Sequence, residues 1–121
     1  MHKRPLLLAV MAVILAGIWL LPQTASAQTA PRRIEITAKR FTFDPTEITL
    51  KKGEPVVIVL KSEDVAHGLR FRDFGADVKV GKGQTGELAF TPSKTGDFVG
   101  QCSVFCGSGH GSMKLTLHVV E

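Results

Sequence analysis

From Arg33 onward, apolar and polar residues alternate with a period of two. Ile34, Ile36 and Ala38 interleave with Glu35, Thr37 and Lys39, and Ile48 and Leu50 with Glu47, Thr49 and Lys51. Val78 and Val80, then Leu88 and Phe90, then Leu115, Leu117 and Val119 repeat the pattern. Successive side chains of a strand point to opposite faces, so this alternation predicts half-buried strands and not helices. Val56–Leu60 is a continuous apolar run, which predicts a strand buried on both faces. Turn signals separate the runs: Asp44-Pro45, Lys52-Gly53, Gly81-Lys82-Gly83, Thr91-Pro92 and Thr95-Gly96. No window carries a helical period. Seven to eight short strands in so short a chain predict an all-β antiparallel sandwich or barrel with Greek-key connections.

The amino-terminal segment follows a different rule. His2-Lys3-Arg4 precedes an apolar run from Leu6 to Leu21 broken only by Gly17, and Pro22 and Ala25-Ser26-Ala27 follow. A charged start, an apolar stretch and a small-residue cleavage site, in that order, predict a signal peptide over 1–27. The run falls short of the roughly 20 residues that cross a bilayer. The expectation is export to the periplasm or beyond, cleavage after Ala27 and no stable membrane span after processing; an uncleaved anchor is the alternative. Residues 28–33 are expected to form a short flexible lead-in, and 34–121 a single domain. The formal charge of the 121 residues is +4, of which Lys3 and Arg4 supply two. The remainder is nearly neutral and holds no basic run longer than a pair, which argues against a nucleic-acid partner.

The chemistry lies in Cys102-Ser103-Val104-Phe105-Cys106-Gly107-Ser108-Gly109-His110-Gly111-Ser112-Met113, a loop between the strand patterns Asp97–Gln101 and Lys114–Val120. It reads C-x3-C-x3-H-x2-M. Soft sulfur with imidazole is a donor set that favours copper. A mononuclear blue-copper centre uses one Cys, one Met and two His. Two thiolates can instead each bridge a pair of copper ions, and each ion then needs one imidazole. His67, in the stretch Ser62-Glu63-Asp64-Val65-Ala66-His67-Gly68 after the apolar strand, is the candidate for the second. Two other arrangements stay open on these residues. The thiols of an exported protein can pair as a disulfide or exchange, and His67, Cys102, Cys106 and His110 can hold structural zinc. Zinc leaves Met113 without a role. His118 alternates with the core positions and is expected to face solvent. Asp64 either orients His67 or is an exposed loop carboxylate. Phe41, Phe43, Phe71, Phe90 and Phe98 are expected in the core, and Phe105 either shields the loop or packs inside. There is no nucleophile–base pair and no phosphate-binding glycine loop, so bond-making catalysis is not indicated.

Asp64-Val65-Ala66-His67-Gly68, followed by Gly96-Asp97-Phe98-Val99-Gly100-Gln101 and the loop, resembles the CuA domain of cytochrome c oxidase subunit II and the related domain of nitrous oxide reductase. The resemblance implies a cupredoxin Greek-key β-sandwich from about Ile34 to Val120. It implies two copper ions bridged by Cys102 and Cys106, one completed by His67 and Met113, the other by His110 and the backbone carbonyl of Val104. It further implies a one-electron carrier, with a redox partner such as a c-type cytochrome or an oxidase. Three departures stand out: Val104 replaces a glutamate that reaches a magnesium site, and neither a transmembrane hairpin nor a Trp-containing entry patch accompanies the domain. A free-standing periplasmic protein is therefore expected. Copper delivery or storage for oxidase assembly, and thiol–disulfide chemistry at Cys102 and Cys106, are the alternative functions.

Overall fold

The computed structural model describes residues 30–121 and, before them, Pro22. Apart from Pro22, the expected signal peptide lies outside the described residues. Nine strands follow in order: β1 (Arg32–Lys39), β2 (Thr42–Asp44), β3 (Glu47–Lys51), β4 (Val56–Ser62), β5 (His67–Phe71), β6 (Ala76–Val80), β7 (Thr85–Phe90), β8 (Gly96–Gln101) and β9 (Lys114–Val120). Two single 3-10 turns, Arg72–Phe74 and His110–Ser112, are the helical segments among the described residues. The strands form two sheets, ordered β2-β1-β4-β7 and β3-β9-β8-β5-β6. Their facing surfaces carry the alternating residues. Ile36, Phe43, Leu50, Ile58, Leu60, Leu69, Phe71, Leu115 and Leu117 are at most 1% exposed. Each such aliphatic side chain contributes about 1.5–3 kcal/mol through burial.

Four expectations need correction. The sandwich is mixed rather than antiparallel, because β1 pairs parallel with β4 and β3 parallel with β9. The chain passes to the second sheet through β3 before returning to pair with β1, so β1 and β4 run the same way. The apolar run of β4 is buried on one face only. Val56, Ile58 and Leu60 are buried while Val57 and Val59 are half-buried, since a two-layer sandwich covers one face of each sheet. Nine strands form rather than seven to eight; the strands that the alternation did not mark are the short β2 and β5, which opens at His67. The first strand also begins at Arg32, inside the expected lead-in.

The order β9-β8-β5 sets up the site. β5 and β8 are antiparallel, with Arg70 opposite Gln101; β8 and β9 are antiparallel, with Gln101 opposite Lys114. The start of β5, the end of β8 and the start of β9 therefore lie at the same end of the sheet. Gly100 permits the close fit beneath: a Cβ there would lie 2.6 Å from Phe71 Cε1 and 2.8 Å from Leu69 Cδ1.

Candidate metal centre

His67 opens β5, Cys102 follows β8 and Met113 precedes β9. The N–H of Cys102 donates to the carbonyl of Met113 at 3.2 Å, which closes the loop at its base. Within the loop, His110 N–H donates to Gly107 O, Ser112 N–H to Gly109 O and Met113 N–H to His110 O, at 3.1, 3.1 and 3.3 Å. These turns fold His110 and Met113 back onto the cysteines. The Cys102 and Cys106 sulfurs stand 3.8 Å apart, well beyond the roughly 2.05 Å of a disulfide, and both thiols are free. His67 Nδ1 lies 3.9 Å from Cys102 Sγ, and His110 Nδ1 lies 3.7 Å from Cys106 Sγ. Met113 Sδ is 3.8 Å from Cys106 Sγ, and the Val104 carbonyl accepts from Cys102 Sγ at 3.1 Å. All six sequence-expected ligand positions thus converge. His67, Cys102, Cys106 and Met113 are at most 4% exposed; His110 and Val104 are half-buried.

Asp64 settles the tautomer of His67. Its Oδ1 lies 2.6 Å from His67 Nε2, and a carboxylate can only accept, so Nε2 carries the proton and the Nδ1 lone pair faces the cysteines. Burial opposes the charge on Asp64. The N–H of Arg40, the His67 ring and the N–H of Val65 outweigh it and hold the carboxyl at about 2. Of the two earlier readings of Asp64, the structure supports the one in which it orients His67. Burial, the hydrogen bond to Cys102 and the charge of Cys102 push the Cys106 thiol up to about 11, against the opposing pull of Arg40. A metal ion entering here must displace that proton. Buried soft sulfur beside two imidazoles, one with its proton fixed on the far nitrogen, is a donor set that fits copper.

The β1–β2 turn supplies contacts that the sequence did not reveal. Arg40 Nε donates to the Cys106 carbonyl at 3.0 Å, and Arg40 N–H donates to Asp64 Oδ2 at 2.9 Å. The Phe41 ring lies against the loop: a Cβ on Gly109 would fall 2.5 Å from its Cγ, and one on Gly107 2.9 Å from its Cζ. Asp64 Oδ1 also accepts from Val65 N–H at 2.6 Å, and Ser62 Oγ donates to Val65 O, which fixes the turn before His67. Phe105 is 78% exposed and so is not a core residue; its ring sits 5.6 Å from that of His110. Phe43 and Phe71 are in the core, whereas Phe41, Phe90 and Phe98 pack at its edge. His118 lies away from the cluster, with Nδ1 2.6 Å from Asp97 Oδ1 on β8.

A cupredoxin-like domain profile matches residues 10–114. Cytochrome c oxidase subunit 2 of Thermus thermophilus is 30% identical over 107 residues, spanning 87% of this chain and 79% of that protein. Nitrous-oxide reductase of Pseudomonas fluorescens is 32% identical over 85 residues, 67% of this chain and 13% of the reductase. The periplasmic domain of subunit II of cytochrome oxidase from Bradyrhizobium japonicum matches the fold with a TM-score of 0.69 at 24% identity, covering 77% of this chain and 86% of that one.

Proposed function

The chain belongs to the cupredoxin-like domain family, and from that premise we propose that it is a copper protein with a dinuclear CuA-type centre that passes single electrons between redox partners. The observation that carries this is the meeting of two free thiols, two imidazoles, a thioether and a carbonyl at one end of the sandwich, with neighbouring donor atoms 3.1–3.9 Å apart. In our assignment Cys102 and Cys106 would hold both ions; His67 and Met113 would complete one, and His110 and the Val104 carbonyl the other. Bound copper supplies reversible one-electron exchange. The protein's part is to keep the donors dry and still. His67, both cysteines and Met113 are shut from water, so few solvent dipoles need reorient when the charge changes. The loop is anchored on adjacent strands, and Asp64 keeps the His67 ring in one orientation.

The same burial limits thiol–disulfide exchange in the folded chain. Exchange needs access to a sulfur by an external thiol or disulfide, and each sulfur belongs to a residue 4% exposed. Copper delivery differs from electron transfer in a measurable way, since a carrier cycles repeatedly without losing metal. We further propose export, with the mature chain starting at Gln28 and meeting a c-type cytochrome or an oxidase. Among the described residues no helix is long and apolar enough to cross a membrane. Metal analysis and electron-spin resonance of copper-loaded protein test the centre. Two coppers per chain and an unpaired electron coupled equally to both are expected. A signal from a single copper would refute the dinuclear assignment, and rapid reoxidation of Cys102 and Cys106 to a disulfide during turnover would refute the carrier.

A further inference from the structure

We propose that Arg40 is a positioning residue of the metal centre: it ties the two ligand-bearing segments together and raises the centre's reduction potential. The inference rests on the dinuclear copper assignment above. Its ground is a single residue reaching both halves of a site whose halves are far apart in sequence. Through its backbone N–H, Arg40 holds Asp64 Oδ2, and Asp64 Oδ1 in turn holds His67 Nε2. Through Nε, Arg40 holds the carbonyl of Cys106. One residue of the β1–β2 turn thus fixes the orientation of the imidazole on β5 and the backbone of a cysteine in the 102–113 loop. Phe41, next in the chain, lies on Gly107 and Gly109 and leaves that loop no room to shift toward the turn.

The guanidinium is also a permanent cation. The Arg40 side chain is exposed, but its bond to the carbonyl of Cys106, a buried cysteine that would supply a thiolate, is partly shielded, so water screens the charge only in part. Gaining an electron makes the centre less positive. A fixed positive charge nearby therefore favours the reduced form. Hydrogen bonding to a thiolate ligand's peptide works in the same direction, because it withdraws electron density from the sulfur.

The two roles separate by substitution. Arg40→Gln removes the charge, and Arg40→Lys keeps it but loses the planar Nε donor; both keep the backbone N–H that holds Asp64. The side chain lies at the surface, so both variants should fold, with copper-free unfolding midpoints close to that of the parent. Copper-loaded Arg40→Gln should show a lower midpoint potential in a spectroelectrochemical titration and about tenfold weaker copper retention against a chelator. Arg40→Lys should recover most of the potential while retaining copper less well than the parent. A potential for Arg40→Gln equal to or above the parent's would overturn the proposal, as would Lys and Gln variants with the same potential. A parent protein that binds one copper would refute the dinuclear assignment itself, which the parent titration reads before any variant is compared.

Discussion

Gly109→Ala should destabilise the protein through one steric contact. Gly109 has φ −90° and ψ 9°, a negative-φ conformation that is open to alanine. The added Cβ would instead fall 2.5 Å from both Cγ and Cδ2 of Phe41. Carbon atoms pack at about 3.5–4.0 Å, so about 1 Å must open between loop and turn. Overpacking of this kind costs about 1–3 kcal/mol, and the reduced freedom of alanine in the unfolded chain offsets about 0.4–1 kcal/mol. A net loss of about 1–2 kcal/mol corresponds to a fall of roughly 4–15 °C in unfolding midpoint for a domain of this size. Gly111 is the control. It lies two positions on, its φ is not left-handed and a Cβ there meets nothing within 4 Å, so Gly111→Ala should be neutral or slightly stabilising. Urea unfolding of copper-free protein, followed by circular dichroism, compares the two. Adding Phe41→Ala to Gly109→Ala should recover part of the loss, making the pair less than additive. Equal stability of the Gly109 and Gly111 variants would refute the steric argument.

Asp64→Asn leaves a carbonyl to accept from His67 and Val65 but turns an amide donor toward the Arg40 N–H. Copper affinity should fall about tenfold by chelator competition, and stability at neutral pH by about 1 kcal/mol. Because the folded carboxyl is depressed to about 2, its contribution is full above the ordinary carboxylate range and is lost as pH falls through that value; unfolding curves of parent and Asp64→Asn should converge there. His118 is raised by its hydrogen bond to Asp97, and further by Glu47. Its contribution is full below the ordinary imidazole value of about 6.5 and fades as pH rises past the raised one, so His118→Gln should flatten the stability profile over that window. Copper loading should acidify weakly buffered protein as the Cys106 proton is displaced, and loading should weaken as pH falls; uptake with no proton release would show that Cys106 is not a ligand.

The strands that alternate cleanly were legible in the sequence, and β9 has the bounds the pattern suggested. Two strands were not. In β5 the order His67-Gly68-Leu69-Arg70-Phe71 places a buried imidazole where alternation asks for an apolar residue and a glycine where it asks for a polar one, and β2 has only three residues. Val57 and Val59 carry the signature of a fully covered strand, yet their exposure depends on how many layers the fold stacks, which composition does not encode. At the site, the loop residues announced themselves by spacing, and Asp64 three positions before His67 hinted at the imidazole's partner. Arg40 and Phe41 gave no such hint. Their role comes from a turn between two other strands, and only the assembled sandwich brings that turn against Cys106, Gly107 and Gly109.

The parallel pairing of β3 with β9 has a consequence for the order of events as the protein forms. β3 is an edge strand whose one sheet partner is β9, the last strand in the chain. Residues Glu47–Lys51 therefore have nothing to pair with until Thr116–Val120 are present. Pairings of such long sequence separation are entropically slow to close, placing the domain among slow-folding β topologies. The 102–113 loop is closed by the same strand's arrival, through Met113. Sheet closure and placement of the thioether thus depend on the same part of the chain: a chain ending before Met113 would lose the thioether and, with β9, the one sheet partner of β3.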